Sequence, residues 1–370
     1  MRLLLRLLTA VSAVAAATAQ TTAAELCPEW HVLWIDSVLW EWDYVPNQVM
    51  SQFSIASNET LGDRNLLREK AQNCTAAVIR VRENWSVEDY DVLKLEQALS
   101  HTIHFYILIG EEMRSCVDAE FYAVAPLVVR NFWHADCEQY DNVMVVPLGT
   151  VHPAFRHYGR GSEASPSLTP LSRRNFTWSF LSAHRTSIRD KIIEIFLSTC
   201  SEKEEEEDEV VCLRQANHYL EYPGQMPGDE YARVLADSTF GLTPSGAVHD
   251  TWRLQEVLAS GAIPVVTVKP EYFASFMPRS LADKFVYLDF DPDSAFFDNQ
   301  RIEGHDVTVD DQSVTNAHQR IASLLQDKET LDQHSAALYA EFQAHTDQWQ
   351  QNVFDMAQRL TLPPRDDSRR

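Results

Sequence analysis

Short apolar runs of strand length alternate with amphipathic stretches of helix length along most of the chain, and this alternation constrains the fold more than any other feature. In the first half, a helix is predicted at 87–100, and the apolar runs predict strands at 31–35, 76–81, 104–109, 127–132 and 142–148. Strands and helices in alternation are typical of an open α/β sheet. The first half therefore predicts one Rossmann-like domain.

A second alternating block follows the segment 150–174, which is rich in Gly, Ser, Pro and Arg and lacks periodicity. This block predicts strands at 178–181, 239–243, 263–268 and 285–288, and helices at 187–198, 229–237, 250–260 and within 314–360. A chain of 370 residues suits two domains better than one core. We therefore expect an α/β fold with a domain at 27–149, a linker at 150–174, a domain at 175–345, a helix at 346–362 and a tail at 363–370.

The chain is strongly acidic, with a formal net charge of -23. Binding to phosphate backbones requires a basic surface, so we expect no nucleic-acid partner. Neither G-x-G-x-x-G nor G-x-x-x-x-G-K-[ST] occurs, so the common phosphate-loop motifs are absent from the sequence. Ligands of α/β sheets bind outside the carboxyl ends of the strands, and the cleft between the two domains is the expected site.

The first 19 residues have the parts of a secretory signal peptide. Arg2 is basic, the run 7–19 carries no charge, and Ala17-Thr18-Ala19 is an A-x-A cleavage site. The alternative is an uncleaved anchor, but Arg6 and Gln20 bound a run shorter than the ~20 apolar residues that a spanning helix needs. The sequence thus predicts cleavage, no transmembrane span in the mature chain, and a location in the secretory pathway lumen (Golgi or ER) or outside the cell.

Sequons and cysteines agree with that compartment. The four N-x-[ST] sequons predict N-glycosylation at Asn58, Asn73, Asn84 and Asn175. The six cysteines predict disulfides, with buried free thiols as the alternative. Cys200 and Cys212 form the favoured pair, because they flank the acidic run 202–209 and would close it into a short loop. The sequence contains no C-x-x-C pair, so no metal site is expected.

The segment 231–266 is the most informative part of the chain. A helix leads into the strand 239–243, the chain turns at Pro244-Ser245-Gly246, and a second helix is expected to begin near Asp250 as its N-cap. Gly261 is placed to end that helix.

Two charged residues of this second helix, Arg253 and Glu256, lie three positions apart. The helix dipole disfavours a cation in the first turn, and a bound diphosphate would explain Arg253 there. Glu256 would then accept hydrogen bonds from ribose hydroxyls. The alternative, which the residues alone favour, is an exposed ion pair of little energetic value.

This segment resembles the signature of the exostosin glycosyltransferase family. The matching residues are Tyr231, Leu235, Ser238, Phe240, Pro244, Gly246, Arg253, Glu256, Gly261, Pro264 and Val265. Weaker similarity reaches back to about Tyr106, through the segments 109–112, 129–133, 146–149 and 180–189. Two positions depart from the family: Ser245 stands where the turn often has Arg, and Ser182 stands where Gly is usual.

The resemblance implies a GT-B fold, with a UDP-sugar in the C-terminal domain and the acceptor in the N-terminal domain. It implies transfer of the sugar to a glycan or glycoprotein with inversion, without a cofactor or metal ion. The residues that it places around the UDP-sugar are Arg253, Glu256, Ser245, Gly246, Arg189 and Arg185. The general base would be Glu111, Glu112 or Asp36, each of which has the alternative of being an ordinary surface carboxylate.

Two other functions remain open at this stage. A catalytically inactive relative that binds a partner transferase or a glycan is the first, because the turn lacks its arginine. A secreted α/β hydrolase is the second, and the absence of a G-x-S-x-G motif from the sequence disfavours it. The residues leave the oligomeric state open between a monomer and a homo- or hetero-oligomer.

Overall fold

The computed structural model describes most of both predicted domains. The described residues are 27–35, 44–61, 66–72, 74–80, 103–109, 116, 122–123, 125–150, 155, 168–182, 187–198, 212–216, 228–245, 251–268, 270–273, 276–288 and 310–361. The predicted signal at 1–19, the helix at 87–100 and the tail at 363–370 lie outside them. So do five predicted catalytic and nucleotide-binding residues, which are Asp36, Glu111, Glu112, Arg185 and Gly246, and the predicted glycosylation sites Asn73 and Asn84.

The N-terminal domain is built on a six-stranded sheet in the order β2-β1-β3-β4-β5-β6. Its strands are β1 (Trp30–Trp34), β2 (Ile55–Thr60), β3 (Thr75–Arg80), β4 (Ile103–Ile109), β5 (Val128–Arg130) and β6 (Val143–Val145). All of their pairings are parallel. Val32 and Leu33 illustrate why the strands are apolar runs, since they lie in separate cores on opposite faces of the sheet.

Short helical segments connect these strands. A π-helical turn, Val45–Val49, precedes β2, and helix α1 (Leu67–Lys70) precedes β3. A 3-10 helix, Ala135–Gln139, lies between β5 and β6.

The C-terminal domain has a second parallel sheet, of five strands in the order β11-β10-β9-β7-β8. The strands are β7 (Phe176–Ser182), β8 (Cys212–Ala216), β9 (Ser238–Thr243), β10 (Ile263–Val266) and β11 (Val286–Tyr287). The helices are α2 (Ser187–Ser198), α3 (Gly228–Ala236), α4 (Trp252–Ala259), α5 (Pro270–Phe273), α6 (Arg279–Ala282), α7 (Asp311–Gln326) and α8 (Lys328–Thr361), and a 3-10 helix, Leu171–Arg173, precedes β7.

Both sheets have the same topology. In each, the chain adds one strand beside the first strand and then continues on the first strand's other side. This reversal creates a topological switch point between β1 and β3, and a second one between β7 and β9. Ligands of open α/β sheets bind at such points, outside the carboxyl ends of the strands.

Helix α8 joins the two domains. Its first half places Leu331 and Leu338 in the C-terminal core, and its second half places Trp349 and Val353 in the N-terminal core. The sequence predicted a long helical region within 314–360 and assigned 346–362 to a C-terminal helix; in the structure, residues 346–361 belong to one continuous helix that begins at Lys328. The two domains therefore share a rigid element 34 residues long.

Two local predictions differ from the structure. The helix expected to begin near Asp250 begins at Trp252, and its N-cap is Thr251, whose hydroxyl accepts a hydrogen bond from the Leu254 amide at 3.3 Å. Strands β2 and β8 were not predicted, because they are polar strands at the sheet edges and lack a continuous apolar run.

Gly261 ends α4 as expected, with a φ of 68°.

Two disulfides among the described residues cross-link the N-terminal domain. Cys27 bonds to Cys74 just before β3, and Cys116 bonds to Cys137. The favoured pair of the sequence stays a prediction, because Cys200 and the side chain of Cys212 lie outside the described part of the chain.

Candidate functional site

The turn after β9 and the start of α4 lie at the switch point of the C-terminal sheet. Helix α4 is held close to β9 because residue 241 is glycine. A Cβ atom added to Gly241 would lie 2.4 Å from Cγ2 of Val257 on α4, closer than packed atoms allow. Helix α4 therefore packs directly on β9, and its amino end, which follows the carboxyl end of that strand in the chain, is where the helix dipole favours an anion.

Three side chains meet at this point, and we call them the Tyr231 trio: Tyr231, Arg253 and Glu256. The Tyr231 hydroxyl donates a hydrogen bond to Oε2 of Glu256 and accepts one from Nη1 of Arg253. The guanidinium carbon of Arg253 also lies 4.6 Å from the centroid of the Tyr231 ring. Arg253 and Glu256 come from α4, whereas Tyr231 comes from α3.

The trio is partly shielded from water, with Glu256 buried and Tyr231 and Arg253 half-buried. Glu256 is only 5% exposed, so it is not the exposed half of a surface ion pair. Burial raises the pKa of the Tyr231 phenol well above its ordinary value; the Arg253 charge opposes this increase and Glu256 adds to it. Tyr231 is thus a protonated hydrogen-bond donor at neutral pH.

Arg253 retains an unused donor in this arrangement. Its Nε is buried and has no hydrogen-bond partner among the described residues. A buried donor without a partner is costly, and such a donor on a cation is well suited to an anionic ligand.

Ser245 lies at the beginning of the turn and is buried, with 2% exposure. Its amide donates to Oγ1 of Thr267 at 2.9 Å, and its hydroxyl is 2.9 Å from the same oxygen. These bonds anchor the turn to the end of β10. The Ser245 amide therefore donates its hydrogen bond to Thr267 in this structure, and its contact with a nucleotide stays a prediction.

Arg189 lies in the first turn of α2, directly after β7, and is partly buried. Because β7 and β9 are neighbours, Arg189 and Arg253 both belong to helices that begin at the carboxyl edge of the sheet, on either side of the switch point. The structure thus brings Arg253 and Glu256 together and places Arg189 at the same edge.

The N-terminal domain contacts the beginning of α4. The ring of Tyr44, just before the π-helical turn, packs edge-on against the ring of Trp252. The Tyr44 hydroxyl donates to the Pro147 carbonyl at 2.8 Å and accepts a hydrogen bond from Nδ2 of Asn131 at 3.1 Å. Elsewhere on the same interface, Trp133 packs on Tyr272 of α5. The contact between Tyr44 and Trp252 could not be predicted from the sequence, because the two residues lie about 200 positions apart in the chain.

A metal site finds little support among the described residues. The group Cys27, Cys74 and His104 gathers three potential ligands, but the two sulfurs are bonded to each other and are not thiolates. Burial lowers the pKa of His104.

No helix in the described part of the chain is long and apolar enough to span a membrane.

The chain superposes on solved structures of an alpha-glucosyltransferase. The structure in complex with UDP-glucose and DNA containing an abasic site has a TM-score of 0.51 and 10% identity, covering 89% of this chain and 99% of that one. The structure with UDP and a 13-mer DNA containing a central A:G mismatch has a TM-score of 0.50 and 8% identity over the same shares. The chain has a GT-B fold.

The predicted architecture of two Rossmann-like α/β domains is thereby confirmed. At such low identities, the likeness to the GT-B enzyme establishes the fold alone. No protein-family model matches the sequence, and no curated protein matches it.

Proposed function

We propose that this GT-B protein is a glycosyltransferase that binds a UDP-sugar at the carboxyl edge of its C-terminal sheet. The observation that carries the proposal is the Tyr231 trio, which places a cation with an unused donor and a buried carboxylate side by side at the switch point. The fold supports it, because the superposed alpha-glucosyltransferase holds UDP or UDP-glucose.

The charges of the site suit the two parts of UDP. Arg253, assisted by the amino end of α4 and by Arg189, would balance the diphosphate without a metal ion. Glu256 would accept hydrogen bonds from the ribose hydroxyls, which are donors that a carboxylate recognises well. Arg185 and the backbone of the Pro244-Ser245-Gly246 turn remain further candidates for phosphate contacts.

The N-terminal domain would hold the acceptor. Glu111, Glu112 and Asp36 remain the candidates for the base that removes the acceptor's proton, as inversion in one displacement step requires. Asp36 comes two positions after the end of β1 in the sequence, and β1 is one of the two strands at the switch point of that sheet.

We further propose a glycan or glycoprotein acceptor, in the secretory pathway. The superposed enzyme's structures contain DNA, but a formal net charge of -23 opposes binding to a phosphate backbone. The signal-like first 19 residues, the sequons and the cysteines support the luminal location, and the match of segment 231–266 supports membership of the exostosin family. Asn58 and Asn175 are at least partly exposed, as glycosylation requires.

One observation favours a second candidate, a catalytically inactive binding protein. The turn has Ser245 where the exostosin family often has Arg, and the amide of Ser245 already donates its hydrogen bond to Oγ1 of Thr267. Release of UDP from UDP-glucose, UDP-N-acetylglucosamine, UDP-glucuronate and UDP-xylose, with and without oligosaccharide acceptors, separates the two. Activity above that of an Arg253→Ala variant supports the transferase. Tight binding of UDP without turnover supports the binding protein.

A further inference from the structure

We infer that Tyr231 is a positioning residue that holds Arg253 and Glu256 apart and oriented for the nucleotide, an inference that rests on the proposed function. One atom, the hydroxyl oxygen of Tyr231, contacts both charged groups of the site. The hydroxyl of Tyr231 lies between them, and its ring lies under the guanidinium group.

The direction of both hydrogen bonds is dictated by chemistry. Arg has only donors and an ionised carboxylate has only acceptors, whereas a phenol has one proton and also accepts. The hydroxyl must therefore donate to Glu256 and accept from Arg253. It can serve both groups at once only while it keeps its proton, and the raised pKa of Tyr231 ensures this over the physiological range.

Without the hydroxyl, the two charges would interact differently. Residues three positions apart on a helix lie on one face and within reach of each other, so Arg253 and Glu256 would pair directly. In this partly buried site that pair would be stronger than at the surface, and each group would be withdrawn from the ligand. Tyr231 prevents this direct ion pair because its hydroxyl lies between the two charged groups.

The position of Tyr231 is itself well defined. It lies on α3, one turn from the start of that helix, and its ring packs edge-on against Phe155 with centroids 5.8 Å apart. Phe155 is almost fully buried, at 2% exposure. A residue held in this way can impose its geometry on two longer and more flexible side chains.

Tyr231→Phe tests the inference, because it removes the hydroxyl and keeps the ring. We expect calorimetry at pH 7 to show UDP binding weakened by about tenfold or more, the factor that corresponds to one lost charge-assisted hydrogen bond. In a Glu256→Gln background, the same substitution should weaken binding by less than about twofold, because the two residues act as one unit. Additive effects in this double-mutant cycle would overturn the inference.

The matched control is Tyr287→Phe. It removes a hydroxyl that donates to the Ala282 carbonyl at 2.6 Å, on the edge strand β11 of the same domain. We expect a similar change in melting temperature and no change in UDP affinity. If Tyr231→Phe does not fold, Glu256→Asp withdraws the carboxylate from Tyr231 and keeps its charge; unchanged UDP affinity in that variant would contradict the inference.

The outcomes also separate this inference from the proposed function. Normal binding by Tyr231→Phe, with weak binding by Arg253→Ala and Glu256→Gln, would refute the role of Tyr231 and leave the nucleotide site standing. Normal UDP binding by all three variants would refute the nucleotide site itself.

Discussion

The ring of Tyr44 lies edge-on to the ring of Trp252, with centroids 5.1 Å apart and planes at 88°. This contact brings the N-terminal domain against the first residue of α4, next to Arg253. The position of α4, the helix of the proposed nucleotide site, thus depends on both domains. A ligand that requires α4 in this position should also favour this arrangement of the domains.

Trp252→Ala should therefore weaken UDP binding as well as stability. Loss of an aromatic pair alone is worth about 0.5–1.5 kcal/mol, and removal of the whole indole adds to that. We expect UDP affinity to fall by roughly threefold or more. The control is Trp133→Ala, which removes the interdomain contact with Tyr272 of α5 and should lower the melting temperature with UDP affinity intact. Equal affinities for UDP in both variants and the wild type would contradict the coupling.

Gly241→Ala should destabilise the protein by about 1–3 kcal/mol, because the new methyl group would overlap both methyl groups of Val257. It should also displace α4 and weaken UDP binding. The double variant Gly241→Ala/Val257→Ala should recover part of both losses, since the second change makes room for the first. Chemical denaturation and calorimetry measure the two effects. A double variant that is less stable than either single variant would show that the overlap is not the cause.

The sequence predicted the core of each domain well, since β9 and β10 are buried on both faces and therefore appear as apolar runs. It could not predict β2 and β8, because they are edge strands with polar sequences. The sequence of Ile55–Thr60, for example, has the composition of a loop. The spacing of Arg253 and Glu256 predicted that they share one helix, but by itself it favoured an exposed ion pair, and only the resemblance to the exostosin signature indicated a site. The role of Tyr231 could not be predicted, because its contacts reach 22 and 25 positions along the chain and depend on how α3 packs against α4.

The free energy of unfolding should decrease as the pH is lowered from about 6.5 to about 4. Burial lowers the pKa of His345 to about 4, and the hydrogen bond to the backbone of Phe276 opposes this shift only in part. Below pH 6.5 the unfolded chain binds a proton that the folded chain does not, so the free energy of unfolding decreases as the pH falls. The loss is complete near pH 4 and on the order of 2 kcal/mol, after allowance for partial exposure.

Urea denaturation of the wild type and His345→Gln at pH 7, 5.5 and 4.5 tests this. The variant should lose less stability over the range, with a residual slope because burial also lowers the pKa of His318 and of His334. Parallel pH profiles for the two proteins would exclude His345 as the origin.

The disulfide pattern can be tested by peptide mapping of the non-reduced protein. We expect the pairs Cys27–Cys74 and Cys116–Cys137, as in the structure, and Cys200–Cys212 as the third pair. Deletion of residues 204–207 should leave the melting temperature nearly unchanged, because this acidic run has no apolar side chain to bury. Cys200 recovered in a peptide with any other cysteine would refute the third pair.

The central claim is that Arg253 and Glu256 bind a uridine nucleotide, and calorimetric titration of UDP into the wild type, Arg253→Ala and Glu256→Gln tests it most directly. Charge-assisted hydrogen bonds are worth about 1.5–3 kcal/mol, and each 1.4 kcal/mol corresponds to about tenfold in affinity. We expect Glu256→Gln to weaken UDP binding by about tenfold or more and Arg253→Ala by at least as much. Uridine, which lacks the diphosphate, should lose affinity only with Glu256→Gln. Wild-type affinity for UDP in both variants would contradict the claim.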